Sequence, residues 1–267
     1  MNIKMKALVA AAVAVMSVSG AANAALDSSV SGVGNNSSLV LTLFDRANNV
    51  SATFDLGFNY QTFAVGGVES SSSFSWNLAS GDYADAWNSF LSIADVSSIK
   101  WGVAAGDHLG AVNQLGSKGF ITTYNTSLSS APTTNFVYSQ FQSPLTGLAD
   151  YINANNELGN HSSVENGASV ATSGKAYAGN FYGGDKFYNL GPVALDFLGT
   201  EQGVVQYLTS NSVISRGDVL VYDATFSLEA DGVLRYTVAA VPEPETYALL
   251  LAGLALVGAA ARRRKSA

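Results

Sequence analysis

The chain has 267 residues, 12% of them charged, and a formal net charge of −7. An acidic balance of this kind disfavours nucleic acid and anionic lipid as partners. The absence of cysteine excludes disulfides, a thiolate nucleophile and Cys-type zinc sites, so stability has to come from packing and backbone pairing.

The N-terminus reads as a targeting segment. Lys4 and Lys6 form a short basic region, Ala7 to Val18 is apolar, and Ala22-Asn23-Ala24 supplies an A-x-A site. This is the pattern of a secretory signal peptide over residues 1–24, cut between Ala24 and Ala25. The body is then residues 25–240. Without the cations and anions of the two terminal segments it carries a charge of about −11. It is long enough for a substantial core. Its wealth of Ser, Asn, Thr, Gly and Tyr suits strands and turns better than long charged helices.

Ser38 to Phe44 (SLVLTLF) is expected to be a strand, turning through Asp45-Arg46-Ala47-Asn48-Asn49 into a second. That second strand, Val50 to Tyr60, is the clearest in the chain. Val50, Ala52, Phe54, Leu56, Phe58 and Tyr60 alternate with Ser51, Thr53, Asp55, Gly57 and Asn59, the period-two signature of a half-buried strand. Phe74 to Leu78 is a further strand. A helix follows, with Asp82 as cap and Tyr83, Trp87, Phe90, Leu91 and Ala94 as its apolar stripe. Strands are expected near Ser98 to Ala104 and Phe120 to Tyr124. A second helix has Ser143 as cap, Pro144 at its first position, Leu145, Leu148, Ala149 and Ile152 on one face, and Gly159 as its stop. From Asn160 to Ser215 periodicity does not decide. The body closes on a hairpin. Leu220, Tyr222, Ala224, Phe226 and Leu228 alternate along Val219 to Glu229, Ala230-Asp231-Gly232 turns the chain, and Val233 to Val238 returns. The expected architecture is mainly β, an antiparallel β-sandwich or jelly-roll-like body with one or two short helices.

Residues 241–267 form a three-part tail. Val241-Pro242-Glu243-Pro244-Glu245-Thr246 is a stiff extended opening, since each proline locks its own φ and disfavours helix at the residue before it. Tyr247 to Ala261 is uncharged and apolar. As a helix it would be about 22 Å long, a short transmembrane helix against a hydrocarbon core of about 30 Å. Arg262, Arg263, Arg264 and Lys265 follow at once and belong on the cytoplasmic side, which leaves the body exported.

Pro242-Glu243-Pro244, Thr246, the Leu/Ala/Gly-rich run and the Arg262–Lys265 cluster together resemble the PEP-CTERM sorting signal. The resemblance implies an exported protein of a Gram-negative bacterium, one that makes exopolysaccharide. It also implies a transient anchor in the inner membrane, and an exosortase-type membrane enzyme that recognises the tail and releases or transfers the body. It covers about a tenth of the chain and speaks to sorting, not to what the body does.

Chemistry in the body is sparse. His108 and His161 both read as loop positions, and no G-x-S-x-G, H-E-x-x-H or P-loop pattern occurs. Asp82 and Asp85 lie one helical turn apart but fit cap and first-turn charge. Gly106-Asp107 and Gly183-Gly184-Asp185 place single acids in turns, without the ligand spacing of a calcium loop. No metal, cofactor or catalytic residue is assigned. The suggestive feature is aromatic. Tyr177, Phe181, Tyr182, Phe187 and Tyr188 lie in a polar Gly-rich segment, and flat aromatic faces can hold sugars. The expected function is that of an exported surface or matrix protein, structural rather than enzymatic, associated with exopolysaccharide or biofilm. The alternatives are a polysaccharide-binding module contacting sugar through Tyr177, Phe181, Tyr182 and Tyr188, and an extracellular polysaccharide hydrolase using paired carboxylates.

Overall fold

The computed structural model describes residues 26–239 apart from 29–35, 68, 109–113, 129–131 and 134–135. The strands are β1 (Ser38–Asp45), β2 (Val50–Asn59), β3 (Phe74–Asn77), β4 (Lys100–Asp107), β5 (Gly119–Tyr124), β6 (Ala168–Ala171), β7 (Lys186–Phe187), β8 (Leu190–Val193), β9 (Asp196–Phe197), β10 (Glu201–Leu208), β11 (Asp218–Leu228) and β12 (Val233–Val238). The α-helices are α1 (Tyr60–Phe63), α2 (Ala84–Leu91), α3 (Gln142–Asn156) and α4 (Ala178–Phe181).

All the strands but the β7–β8 hairpin join one antiparallel sheet. Its order is β3-β12-β11-β10-β5-β4-β1-β2-β6, with β9 added beside β4. The mainly β, antiparallel body is therefore as expected. A sandwich of two separate sheets does not come out of this pairing; the one sheet curls until its ends meet. Phe58 of β2 lies 4.7 Å from Phe74 of β3, ring to ring. The indole of Trp76 in β3 donates to the Leu56 carbonyl in β2 at 3.0 Å. Inside the curl, Leu41, Leu43, Phe54, Trp101, Val103, Ile121, Phe226 and Tyr236 make one core, closed by Trp87 and Phe90 of α2.

The outer face is buried too. Val40, Phe44, Phe120, Val205 and Tyr207 point outward into a second core roofed by Leu145, Leu148, Tyr151 and Ile152 of α3 and by Phe181, Tyr182 and Phe187. Successive residues of the central strands therefore serve opposite cores, as the period-two pleat requires. This corrects the expected half-buried character of β2. Its polar face, Ser51, Thr53 and Asp55, is buried as deeply as its apolar one. Buried hydroxyls need partners, and α3 supplies them: the Tyr151 hydroxyl lies 2.5 Å from Thr53 Oγ1 and 3.1 Å from Thr42 Oγ1.

Local differences from expectation have local causes. β2 stops at Asn59, whose side chain accepts from Thr62 N and caps the turn of α1 that begins with Tyr60. Asp82 lies inside a 3₁₀ turn, Gly81–Tyr83, ahead of α2, so it is not the side-chain cap. In α3 the helix starts at Gln142, which puts Ser143 and Pro144 within the first turn; the preceding 3₁₀ turn Tyr138–Phe141 already provides the entry. The expected apolar face of α3 is buried. The closing hairpin also matches expectation, with Tyr222, Ala224, Phe226 and Leu228 buried and Gly232 at φ 85° in the turn.

Candidate functional site

The tail leaves the body from the end of β12. Val238 is opposite Ala224 of β11, its N–H donates to Ser73 Oγ at 3.1 Å, and the Ala239 N–H donates to the Asp223 carbonyl at 2.8 Å. Pairing thus continues to the last described residue. Pro242, Glu243, Pro244, Thr246, Arg262, Arg263, Arg264 and Lys265 lie outside the described residues, as do Ala22, Ala24 and Ala25 and the expected C-terminal transmembrane helix. Among the described residues no helix is long and apolar enough to cross a membrane.

The aromatic segment sits mostly inside. Phe181, Tyr182 and Phe187 are buried in the outer core. Phe181 stacks on Tyr151 with centroids 5.2 Å apart, and Phe187 stacks on Phe120 at 4.6 Å. Tyr177 is half-buried, edge-on to Phe44 at 5.6 Å. Tyr188 is 37% exposed and packs over Gly147 of α3. It forms, with Asn189, the two-residue turn of the β7–β8 hairpin, both at positive φ. The expected sugar-contacting set is therefore divided: Phe181 and Tyr182 fill the core, and Tyr177 and Tyr188 remain at the surface. Apolar packing under α3, invisible in a Gly-rich sequence, decides this.

The histidines also part company. His161 is not a loop residue open to solvent; it is 1% exposed, and burial pushes its pKa down to about 4. Its Nε2 is 3.1 Å from Ser169 Oγ, whose hydroxyl donates to Asn155 Oδ1 at 2.7 Å. Ser169 has a single proton to give, so His161 Nε2 must carry the hydrogen in its own contact. The imidazole therefore does not accept from Ser169, and the pair joins β6 to the end of α3 rather than activating a nucleophile. His108 follows β4, and its Nε2 meets Gln142 Nε2 at 2.7 Å. Burial, then the nearby Lys118 charge, holds its pKa below the ordinary value.

One charge cluster has no signal in the sequence. Asp185, which stands in the sequence as a lone acid in a turn, binds Lys100 of β4 and lies 3.3 Å from Arg46 in the β1–β2 turn. Arg46 also donates to the Tyr182 carbonyl at 3.2 Å, and Lys100 lies 4.9 Å from the Phe197 ring centre. Two cations from distant parts of the chain thus hold the loop that carries Tyr182 and Asp185. Among the described residues, no group of three or more His, Cys, Asp or Glu is placed to hold a metal ion.

Asp55 is a strongly perturbed carboxylate. It is 7% exposed, and burial pushes its pKa up to about 7, opposed by the Gly57 N–H and aided by the Asp27 charge. The unfolded carboxyl ionises near 3.8. Between those values the folded state alone keeps the proton, so this residue's contribution to stability falls as pH rises from about 4 to 7. Asp55→Asn is therefore expected to stabilise the protein relative to the parent by on the order of 3 kcal/mol more at pH 8 than at pH 4. His161 acts in the opposite direction between pH 4 and 6.5, but in both proteins, so it cancels from the difference. Urea unfolding of both proteins across this range measures it; a gain independent of pH would show that Asp55 ionises normally in the fold.

Comparison with known proteins gives one match. The family model described as the PEP-CTERM protein-sorting motif matches residues 240–265, which begin directly after the last described residue of the body. No match was found among curated proteins or among solved structures.

Proposed function

We propose that this PEP-CTERM domain-containing protein is a non-enzymatic structural component of the cell surface or extracellular matrix, associated with exopolysaccharide. The motif at 240–265 implies export through a transiently membrane-anchored step and processing by an exosortase-type enzyme. The observation that carries the reading is the junction: the motif follows without a linker on a strand that is paired on both sides, β11 and β3. The body is therefore paired up to the residue before its sorting signal, and apolar clusters cover both faces of its sheet. Burial of Phe181 and Tyr182 weakens the alternative of an aromatic sugar platform at 177–188.

The test is deletion in the producing organism. Polymer output is expected to stay unchanged while the cohesion of the matrix falls. A deletion strain with parental cohesion would remove the structural role and leave sorting intact.

A further inference from the structure

Three polar groups just before β6 lie together without hydrogen-bond partners among the described residues. The first is a backbone amide. Gly167 is buried, and its carbonyl accepts from the Asp55 N–H of β2 at 3.0 Å. Residues opposed in this way in an antiparallel ladder normally exchange both bonds. Here the Asp55 carbonyl accepts from the Tyr83 hydroxyl instead, and the Gly167 N–H has no acceptor. The second group is an imidazole nitrogen. His161 is 1% exposed. Its Nε2 carries the hydrogen in the Ser169 contact, so Nδ1 is a lone pair, and no donor meets it. These two groups pack together: a Cβ built on Gly167 would lie 2.8 Å from His161 N and 2.9 Å from its Nδ1. The third is the half-buried Asn166 carboxamide. It lies against β2, where a Cβ built on Gly57 would come 2.8 Å from its Oδ1, and no hydrogen bond to the described residues ties it down. Buried polar groups without partners are uncommon and require an explanation.

We infer that Asn166-Gly167 is a self-modifying site, where the Gly167 nitrogen attacks the Asn166 side chain to form a cyclic imide and His161 Nδ1 acts as the base. The three groups supply a nucleophile, a base and an electrophile. This is the one Asn-Gly pair in the chain, and without a Cβ the glycine nitrogen is the least shielded that a backbone offers. The Gly167 N–H breaks no hydrogen bond when it reacts. Burial holds the His161 pKa down to about 4, so at neutral pH its lone pair is open to a proton. In the first step Gly167 N bonds to Asn166 Cγ and the Cγ–Nδ2 bond breaks. The proton from Gly167 N passes by way of His161 Nδ1 to the departing nitrogen, which leaves as ammonia. Water then opens the imide at either carbonyl, giving aspartate or isoaspartate. Isoaspartate lengthens the backbone between residues 166 and 167 and so displaces Gly167 from its bond to Asp55. Either product adds a carboxylate beside Gly57, on the strand that carries the buried Asp55. The extent of conversion would then record the time since the body folded.

The test follows the full chain in detergent micelles at neutral pH. Mass spectrometry of the peptide containing Asn166 reads loss of ammonia, then aspartate and isoaspartate, distinguished by electron-transfer fragmentation. A positioned base contributes about 10²–10⁴-fold, so conversion is expected to be at least about ten-fold faster in the folded chain than in the same chain unfolded in urea. Conversion no faster in the folded chain would overturn the inference. In His161→Gln, with its fold checked by circular dichroism, the folded chain is expected to lose this advantage; retention of the parental rate would remove His161 as the base and reject the site as described. The first comparison needs no variant, so it decides even where His161→Gln does not fold. Asn166→Gln is expected to show no conversion at this position, which assigns the signal.

Discussion

Glu243→Ala, or replacement of Pro242 and Pro244 together, is expected to leave the protein uncut and in the membrane fraction. The reasoning starts from the tail's chemistry. An enzyme that selects this segment has one carboxylate to recognise between two fixed φ angles. Losing a hydrogen-bonded charged contact costs about 1.5–3 kcal/mol, which corresponds to roughly 10- to 150-fold in recognition. Loss of the prolines frees two φ angles and adds ordering entropy to binding. Intact mass of protein from the membrane fraction and from the medium or surface reads the result. The parent should yield a surface form ending near Val241–Thr246, and the variants should retain their tail. Release of Glu243→Ala at the parental level would mean that this motif does not direct sorting.

Tyr151→Ala is expected to destabilise the body severely. The side chain is fully buried. Its hydroxyl is shared by Thr42 and Thr53, and its ring stacks on Phe181. Burial pushes its own pKa up to about 12 despite the two threonines, so it stays neutral and available for these bonds at any ordinary pH. Truncation opens a cavity and strips two buried hydroxyls of their partner, at a combined cost of roughly 4–6 kcal/mol. At about 2–4 °C per kcal/mol for a body of this size, the melting temperature should fall by roughly 8–24 °C. Tyr151→Phe keeps the ring and isolates the polar part, with an expected loss of about 1–3 kcal/mol. A Phe variant as stable as the parent would mean that water replaces the hydroxyl.

The sorting tail and the strongest strands were legible in the sequence because their signals are local. Proline, apolar and basic blocks mark the tail. Alternation along Val50–Asn59, and again either side of Asp231-Gly232, is set by the pleat itself and survives whatever packs on it. What those strands face was another matter. Ser51, Thr53 and Asp55 look solvent-bound in the sequence, yet all three are buried, and Tyr151 of α3 satisfies the Thr53 hydroxyl. β10 was missed although it is central. Gln202 and Gln206 interrupt its apolar run, and both are buried: Gln202 donates to the Trp101 carbonyl and Gln206 to the Tyr60 hydroxyl. Asp185 finds Arg46 and Lys100 only because the sheet brings together residues 139 and 85 positions apart in the chain. The sequence alone determined export, the sorting tail and a β body, because each rests on contacts within one segment. Which polar groups are buried and which aromatics are core were decided by the tertiary structure, because each depends on partners from distant parts of the chain.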